Sequence, residues 1–376
     1  MIAGRYVKVV LQVTTTEASG APPLQPSVLY FARLGDMIIL TAMLAFLHRR
    51  FGKACNVIGV GSWTTGVFEG NPDVAHVWAF GRHFPFPFSR AWRAVRHALR
   101  TTAPAPIYIC EHNHRQLPRI RRMLRLSGAD PRRCIFVVEK PQTFHHSVER
   151  LVRLAEQTPE AVKAADYPIP ATGTPWAPTL WVSDTDRADL RAWMREQGWD
   201  GRRIVLIQPG NHRSMSRRRE RWERLRTDDK AWPLERWVEL LQRVHGRLPD
   251  ASIVLRGTRE ELDLLRRIQA AAGLDCVGVA ETGLRRLFAL CEVSHSMISV
   301  DAGPAHAAAA LGLPLVVLYG AGPQRFWLPR SGSGSPVLGV GGPPESMRVD
   351  QLSVDAVFNA WCTLLERTHS FGANRA

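Results

Sequence analysis

Short apolar and β-branched runs alternate with amphipathic helical stretches along most of the chain. In the first half these runs predict strands at residues 27–33, 55–60, 74–80, 106–110 and 134–138. The second half repeats the plan, with strands predicted at residues 204–210, 252–257, 277–281, 296–301 and 314–320. Because strands that alternate with helices form parallel sheets with crossover helices, the pattern predicts two doubly wound α/β domains.

The same pattern divides the chain into four parts. We expect a flexible tail, an N-terminal domain, a C-terminal domain and a C-terminal helical segment, at residues 1–26, 27–172, 173–345 and 346–376. The two domains join in a stretch rich in Pro and Thr, residues 167–180, which has the composition of a linker. The last segment contains an amphipathic pattern at 349–367, and we expect this helix to pack back towards the N-terminal domain.

The stretch Val300–His306 (VDAGPAH) predicts a ligand site at the end of a strand. In open parallel sheets, ligands bind outside the carboxyl ends of the strands. Asp301 ends a predicted strand, and Gly303 and Pro304 open a helix whose first backbone amides are available to bind an anion. The structural alternative is a capped helix, with Asp301 as the N-cap and His306 as an ordinary first-turn residue.

Two other positions carry candidate chemistry. Lys230 precedes a helix predicted to begin at Trp232-Pro233, and a compact ammonium on a flexible stem suits a phosphate group. Asp36 follows Gly35 after the first predicted strand, where a carboxylate can act as a general base. The structural alternatives are a surface lysine and an N-cap aspartate.

These stretches, in this order and spacing, resemble the heptosyltransferases of lipopolysaccharide assembly, glycosyltransferase family 9. The resemblance covers most of the chain from Ser27 to about Gly322. It rests on the turn Gly35-Asp36, the dipeptide Pro209-Gly210, DDKAWP at 228–233, and VDAGPAH at 300–306 followed by AAALGLP and LYG. The C-terminal motifs are the more specific part of the match.

The resemblance implies a GT-B fold, in which two Rossmann-like domains face each other across a cleft. The C-terminal domain would bind a nucleotide-sugar, typically ADP-heptose. The N-terminal domain would bind a lipopolysaccharide-core or related saccharide acceptor. Transfer would invert the anomeric centre and would need neither a metal ion nor another cofactor.

The resemblance also implies roles for individual residues. Asp36 would be the catalytic base, and the ribose would be held by Glu260 or Glu261, between which the register stays open. The full set of expected donor-binding residues is Lys230, Asp301, Ala302, Gly303, Pro304, His306, Glu260 and Glu261. Ala302 stands where the family usually has Thr or Ser, so one hydroxyl contact to the phosphate is missing.

Acceptor contacts are expected from polar residues where strands of the first sheet run into the cleft. These residues are Arg33, His112, His114 and Arg115. The segment CEHNH at 110–114 also suggests a metal site, but no further ligand pair is spaced to complete a tetrahedron, so we expect no metal there.

The charge of the chain adds a class of partner. Its net charge is +15 at pH 7, and nearly all of the positive charge is arginine, which suits anionic partners. Arginines crowd residues 115–133 and 213–226, and these runs are either solvated surfaces or sites that dock on membrane phosphates. The alternatives to heptosyl transfer are a related GT-B transferase with another nucleotide-sugar, or a nucleic-acid-binding protein. The lack of a helix-turn-helix or RNP-like stretch argues against nucleic acid.

The cysteines and the hydropathy pattern bear on location. Six cysteines occur without a CxxC pair, which fits reduced thiols. No run is long enough to span a membrane, and we find no signal peptide. We therefore expect a cytoplasmic protein, in peripheral contact with the cytoplasmic face of the inner membrane.

Overall fold

A computed structural model describes most of the chain. The described residues are 21–81, 87, 89–137, 145–171, 174–211 and 228–373. The arginine-rich run predicted at 213–226 and the tail residues 1–20 lie outside them. Within the described residues, the two predicted doubly wound sheets are confirmed, and every strand pair in both sheets is parallel.

The first sheet has β1 at its centre and the order β3-β2-β1-β4-β5. Its strands are β1 (Ser27–Leu29), β2 (Cys55–Val60), β3 (Val74–Phe80), β4 (Ile107–Ile109) and β5 (Cys134–Phe136). The helices of this half are α1 (Leu34–Phe51), α2 (Trp63–Phe68), α3 (Arg90–Thr101), α4 (Leu117–Ser127) and α5 (Ser147–Glu156). Strand β1 is shorter than predicted because the chain turns at Arg33, the N-cap of α1.

The second sheet has the order β11-β10-β9-β6-β7-β8. Its strands are β6 (Ile204–Gln208), β7 (Ser252–Gly257), β8 (Val277–Glu281), β9 (Ser296–Val300), β10 (Leu315–Tyr319) and β11 (Val337–Gly341). The helices of this half are α6 (Asp184–Glu196), α7 (Leu234–Arg247), α8 (Leu262–Ala272), α9 (Leu284–Val293), α10 (Gly303–Ala310), α11 (Gln324–Trp327) and α12 (Val354–Ala373). The sequence pattern missed β11, a half-buried strand in which two of five residues are glycine.

Three apolar clusters form the core. The first lies between the two halves and joins α1 and α5 to α9 and α10. The second covers the outer face of the second sheet under α7, α8 and α12. The third covers the outer face of the first sheet under α3 and α4. The inner faces of the two sheets are therefore turned towards each other, with their helices between them.

The structure corrects two expectations about the ends of the chain. Residues 21–26 are not a flexible tail, because Leu24 is buried and pairs with Gly52 at the end of α1. The C-terminal helix does not pack back towards the N-terminal domain. It lies on the second sheet beside α7, β10 and β11, where Trp361 is fully buried and donates a hydrogen bond to Ser296 Oγ at 3.0 Å. Helix α12 covers the part of the sheet that α7 and α8 leave open.

Candidate functional site

Two helix N-termini, one from each half, meet at the candidate site. Helix α1 begins after β1, and α10 begins after β9, so both start at the carboxyl ends of central strands. A Cβ atom on Gly35 would lie 3.0 Å from His306 Cδ2, and a Cβ on Gly303 would lie 3.0 Å from the Leu34 side chain. Glycine at these two positions lets the helices approach closely, since a side chain at either one would push its neighbour away by a few tenths of an ångström.

The half of the site that belongs to the second sheet, called the donor half below, contains an ion pair between Lys230 and Asp301. Lys230 Nζ lies 2.6 Å from Asp301 Oδ2 and 3.0 Å from the Asp301 carbonyl oxygen. Both side chains are largely shielded, with 19% of Lys230 and 13% of Asp301 exposed. Buried Asp228 accepts a hydrogen bond from the Lys230 backbone at 3.1 Å and one from Asn211 at 2.9 Å. Lys230 is therefore held beside Asp301 rather than pointing into solvent as a surface lysine would.

The start of α10 has no capping side chain. Its N-cap is Ala302, which has an extended backbone and cannot supply a capping oxygen. Asp301 is therefore not the cap, and its carboxylate is directed to Lys230 instead. Among the described residues, no side chain caps this helix start. Pro304 has no N–H and the Ala305 N–H donates to the Ala302 carbonyl at 3.0 Å, which leaves the Gly303 and His306 amides as the candidates for binding an anion at this helix N-terminus.

His306 is buried in the first turn of α10. Burial lowers the pKa of its imidazole to about 4, and the charge of Asp301 opposes this shift. The imidazole is thus neutral at pH 7. It therefore offers no positive charge at the start of α10, and it packs against the start of α1. Pro304 is buried two residues earlier in the same first turn, at a helix position where its missing N–H is not needed.

Asp36 lies in the first turn of α1, in the half of the site that belongs to the first sheet and is called the acceptor half below. Its Oδ2 accepts a hydrogen bond from the Arg33 backbone N–H at 3.3 Å, so Asp36 is the third residue of the helix and not its N-cap. A helix start by itself favours the ionised form of a carboxylate. Instead, burial raises the pKa of Asp36, although the hydrogen bond from Arg33 and the charge of Arg150 act in the opposite direction. A raised pKa strengthens a carboxylate as a base.

Several ionisable groups surround Asp36. Glu111 is the second residue after β4, the neighbour of β1, and its Oε1 accepts the Asn113 backbone N–H at 2.7 Å. Burial raises the pKa of Glu111, and the charge of Asp36 adds to the increase. Desolvation and Arg150 lower the pKa of His112, while Asp36 raises it. His112 therefore lies within the electrostatic range of Asp36.

Sequence reasoning missed Glu111 and Arg150. Glu111 had a usable signal, because it follows β4 by two residues, at the sheet edge where Asp36 also lies. Arg150 had none, because it belongs to α5, more than a hundred residues after Asp36. The other expected acceptor residues, Arg33, His114 and Arg115, are exposed on the surface, and the Arg115 backbone donates to Asn113 Oδ1 at 2.9 Å.

The carboxyl end of the second sheet contains a buried arginine that the sequence did not single out. Arg256, near the end of β7, donates to Gln208 Oε1 at 2.6 Å and to Thr282 Oγ1 at 2.8 Å. These partners lie at the ends of β6 and β8, so the network crosses three neighbouring strands. The two ribose candidates are also distinguished. Glu261 is buried and accepts the Thr258 backbone N–H at 2.9 Å, whereas Glu260 is exposed.

Two kinds of feature, a metal site and a membrane-spanning helix, are missing from the part of the chain that the structure describes. Among the described residues, no three His, Cys, Asp or Glu side chains come close enough together to hold a metal ion. No helix in that part of the chain combines the length and the apolar character that a membrane crossing requires. These findings leave the expectation of metal-independent transfer as a prediction.

Comparison with known families gives one match, over the C-terminal part and the domain junction. The family model "Glycosyltransferase family 9 (heptosyltransferase)" matches residues 132–338, more than half of the chain. No curated protein matches the sequence.

Solved structures show the same fold over nearly the whole chain. Escherichia coli ADP-heptose LPS heptosyltransferase II aligns with a TM-score of 0.68 at 19% identity, over 92% of this chain and 100% of that one. A glycosyl transferase family 9 protein from Veillonella parvula aligns with a TM-score of 0.70 at 16% identity, over 92% and 97%. E. coli heptosyltransferase WaaC with ADP aligns with a TM-score of 0.64 at 16% identity, over 91% and 100%. The GT-B architecture expected from the motifs is confirmed.

Proposed function

Because this chain is a glycosyltransferase that belongs to family 9, the heptosyltransferase family, we propose that it transfers heptose from ADP-heptose to a lipopolysaccharide-core or related saccharide. The observation that carries the proposal is the close approach of two helix starts: that of α1, which contains Asp36, and that of α10, which directly follows the Lys230–Asp301 pair. A base and an anion site on adjoining helix starts are the two elements that inverting transfer requires.

The donor half would bind the diphosphate of the nucleotide-sugar. The first-turn amides of α10 and the Lys230 ammonium would both contact it, and Lys230 would turn from Asp301 towards the phosphate oxygens as the donor binds. Asp301, released from the lysine, would accept hydrogen bonds from hydroxyls of the donor sugar. Because these groups offset the charge that develops on the departing diphosphate, we propose that transfer needs no metal ion.

The acceptor half would supply the base. As the acceptor hydroxyl oxygen bonds to the anomeric carbon, the bond from that carbon to the diphosphate oxygen breaks, and the hydroxyl proton moves to Asp36. Attack from the side opposite the leaving group inverts the anomeric centre. Arg33, His112, His114 and Arg115 would contact the acceptor, and Arg150 would hold negative charge near Asp36.

Two further features bear on the donor. Glu261 is the better-placed of the two ribose candidates, because it lies buried at the end of β7 beside the Arg256 network. A different nucleotide-sugar is the second candidate donor, because Ala302 offers no hydroxyl to the phosphate where the family usually has one.

The six cysteines are all free, which supports a place in the reducing cytoplasm.

The test is a donor panel. ADP-heptose, ADP-glucose, GDP-mannose and UDP-glucose are each incubated with the enzyme and a truncated lipopolysaccharide-core acceptor, and the released nucleoside diphosphate is measured. We expect release from ADP-heptose, with mass spectrometry showing one heptose added to the acceptor. Turnover of a UDP- or GDP-sugar in place of ADP-heptose would overturn the donor assignment.

A further inference from the structure

The outer surface of α3 and α4 is strongly basic. The two helices pack side by side over the face of the first sheet that is turned away from the second domain. Their apolar residues face the sheet, and neither helix contains a carboxylate. The fully exposed arginines are Arg90, Arg93, Arg96 and Arg100 on α3, and Arg121, Arg122 and Arg125 on α4.

The segment that forms this surface contains little negative charge of its own, although Asp130, and outside the segment Glu160, lie close enough to Arg132 to raise the pKa of its guanidinium. Residues 89–133 contain eleven arginines and only two carboxylates. One of these, Glu111, is buried in the acceptor half of the site. The other, Asp130, is already bonded to Arg132, with Nη2 and Oδ2 2.9 Å apart. The positive potential of the two helices is therefore open to an external anionic partner.

An apolar groove adjoins the basic helices. It lies between α4 and the edge strand β5, has a volume of about 430 Å³, and includes Leu124, Ala129 and Phe136 in its lining. Arg121 lies at its rim, with the guanidinium carbon 4.7 Å from the centre of the Phe136 ring. Leu126, on the same helix, has 46% of its surface exposed although it is a large apolar residue.

We infer that α3, α4 and the adjoining groove form a docking surface for a bilayer that contains anionic phospholipids. Arginines would contact the lipid phosphates, while Leu126 and the groove would receive apolar parts of the lipids. A nucleic acid would satisfy the arginines but offers no apolar partner to the groove or to Leu126. The inference does not depend on the proposed reaction, because it concerns only where the enzyme binds.

The position of the surface relative to the site gives it a use. The loop from β4 to α4 contains His112, His114 and Arg115, so the docking surface continues into the expected acceptor residues. A protein seated on the bilayer by α3 and α4 would hold this loop next to the membrane. An acceptor anchored in the lipid could then reach Asp36 without leaving the bilayer.

The experiment measures co-sedimentation of the full chain with vesicles. Vesicles of phosphatidylethanolamine and phosphatidylglycerol are compared with vesicles of phosphatidylcholine alone, over a series of salt concentrations. We expect binding to the anionic vesicles only, weakening as salt rises because exposed charges are screened. The triple variant Arg121→Gln, Arg122→Gln, Arg125→Gln should bind about 100-fold more weakly, since each arginine near a charged membrane contributes about fivefold.

A matched control separates this surface from net charge. The variant Arg191→Gln, Arg195→Gln, Arg202→Gln removes the same charge from exposed positions in the second half of the chain and should bind as the wild type does. Leu126→Gln should weaken binding roughly tenfold through its lost apolar contact. Equal loss in both triple variants would overturn the inference, as would unchanged binding by the α4 triple variant or by Leu126→Gln.

Two further arms cover the other sources of failure. A duplex oligonucleotide is added as a competitor, and tighter binding to the duplex than to anionic vesicles would show a nucleic-acid surface instead. Asp36→Asn should bind vesicles as the wild type does. If the proposed reaction fails but this variant and the wild type still bind, the docking surface stands on its own.

Discussion

The ion pair between Lys230 and Asp301 leads to opposite predictions for its two members. Lys230→Ala removes a cation that would contact the diphosphate, and a hydrogen bond to a charged group contributes about 1.5–3 kcal/mol. ADP should therefore bind the variant about 10- to 150-fold more weakly. Asp301→Asn frees the lysine from its 2.6 Å contact, so ADP, which has no sugar for Asp301 to hold, should bind at least as tightly as before.

The assay is isothermal titration with ADP, combined with steady-state turnover of the intact donor. Asp301→Asn should keep its ADP affinity but lose turnover, because the contact to the donor sugar is gone. Lys163→Ala serves as the matched control, since Lys163 also pairs with a carboxylate, that of Asp166, but at the longer distance of 3.7 Å and with 77% of its side chain exposed. It should change neither quantity.

Stability must be measured on the same samples. Lys230→Ala leaves a shielded carboxylate without its partner, which should lower the free energy of unfolding by about 1–3 kcal/mol. Melting temperatures with and without ADP separate this loss from the loss of binding. Unchanged ADP affinity in Lys230→Ala would refute the role of the lysine. An equal loss of affinity in Asp301→Asn would show that the pair only stabilises the fold.

Three other results are expected. Asp36→Asn should keep its fold and ADP affinity but lose about 10²–10⁴ in turnover, whereas a purely structural role for Asp36 would leave turnover near normal. Because burial raises the pKa of Asp36, turnover of the wild type should fall on acidification through a pKa above the usual 3.8. The pKa of His306 is about 4 in the folded chain against 6.5 in the unfolded chain, so on acidification the unfolded chain takes up the proton first. The free energy of unfolding should therefore fall by roughly 3 kcal/mol between pH 6.5 and pH 4, and urea titrations of His306→Gln should lack that loss. Turnover should be the same in EDTA as in magnesium, and activity that disappears with EDTA and returns with magnesium or manganese would contradict the proposed metal-free mechanism.

The sequence predicted those parts of the fold that depend on local pattern. The alternation of strands and helices was sufficient for both parallel sheets, and the helix start after β9 was placed correctly because glycine and proline mark it. The start of α1 was placed too late, because the helix begins at Leu34 and already contains Gly35 and Asp36. Strand β11 was missed because its two glycines interrupt the apolar run. The prediction that α12 packs towards the N-terminal domain was wrong, because an amphipathic pattern shows that one face of a helix is buried but not which surface covers it.

The candidate site was predictable only where its residues lie in recognisable motifs. Lys230 and Asp301 occur in two distant motifs, and the structure brings their side chains into contact. Arg150 approaches Asp36 from a helix with no motif at all. For Glu260 and Glu261 the sequence left two choices because adjacent helix residues point in different directions, and only the coordinates show which one is buried.

The contact of Gly35 with His306 and of Gly303 with Leu34 has a consequence for how the two substrates influence each other. A shift of α10 on binding of the proposed donor would reach the turn that holds Asp36, because the two helix starts lie so close that a Cβ at Gly35 or Gly303 would be 3.0 Å from the opposite helix. Thermodynamic reciprocity then requires that acceptor binding alter donor affinity by the same factor. Efforts to broaden acceptor scope by remodelling residues 34–36 would therefore change donor affinity as well, and the two specificities must be engineered together.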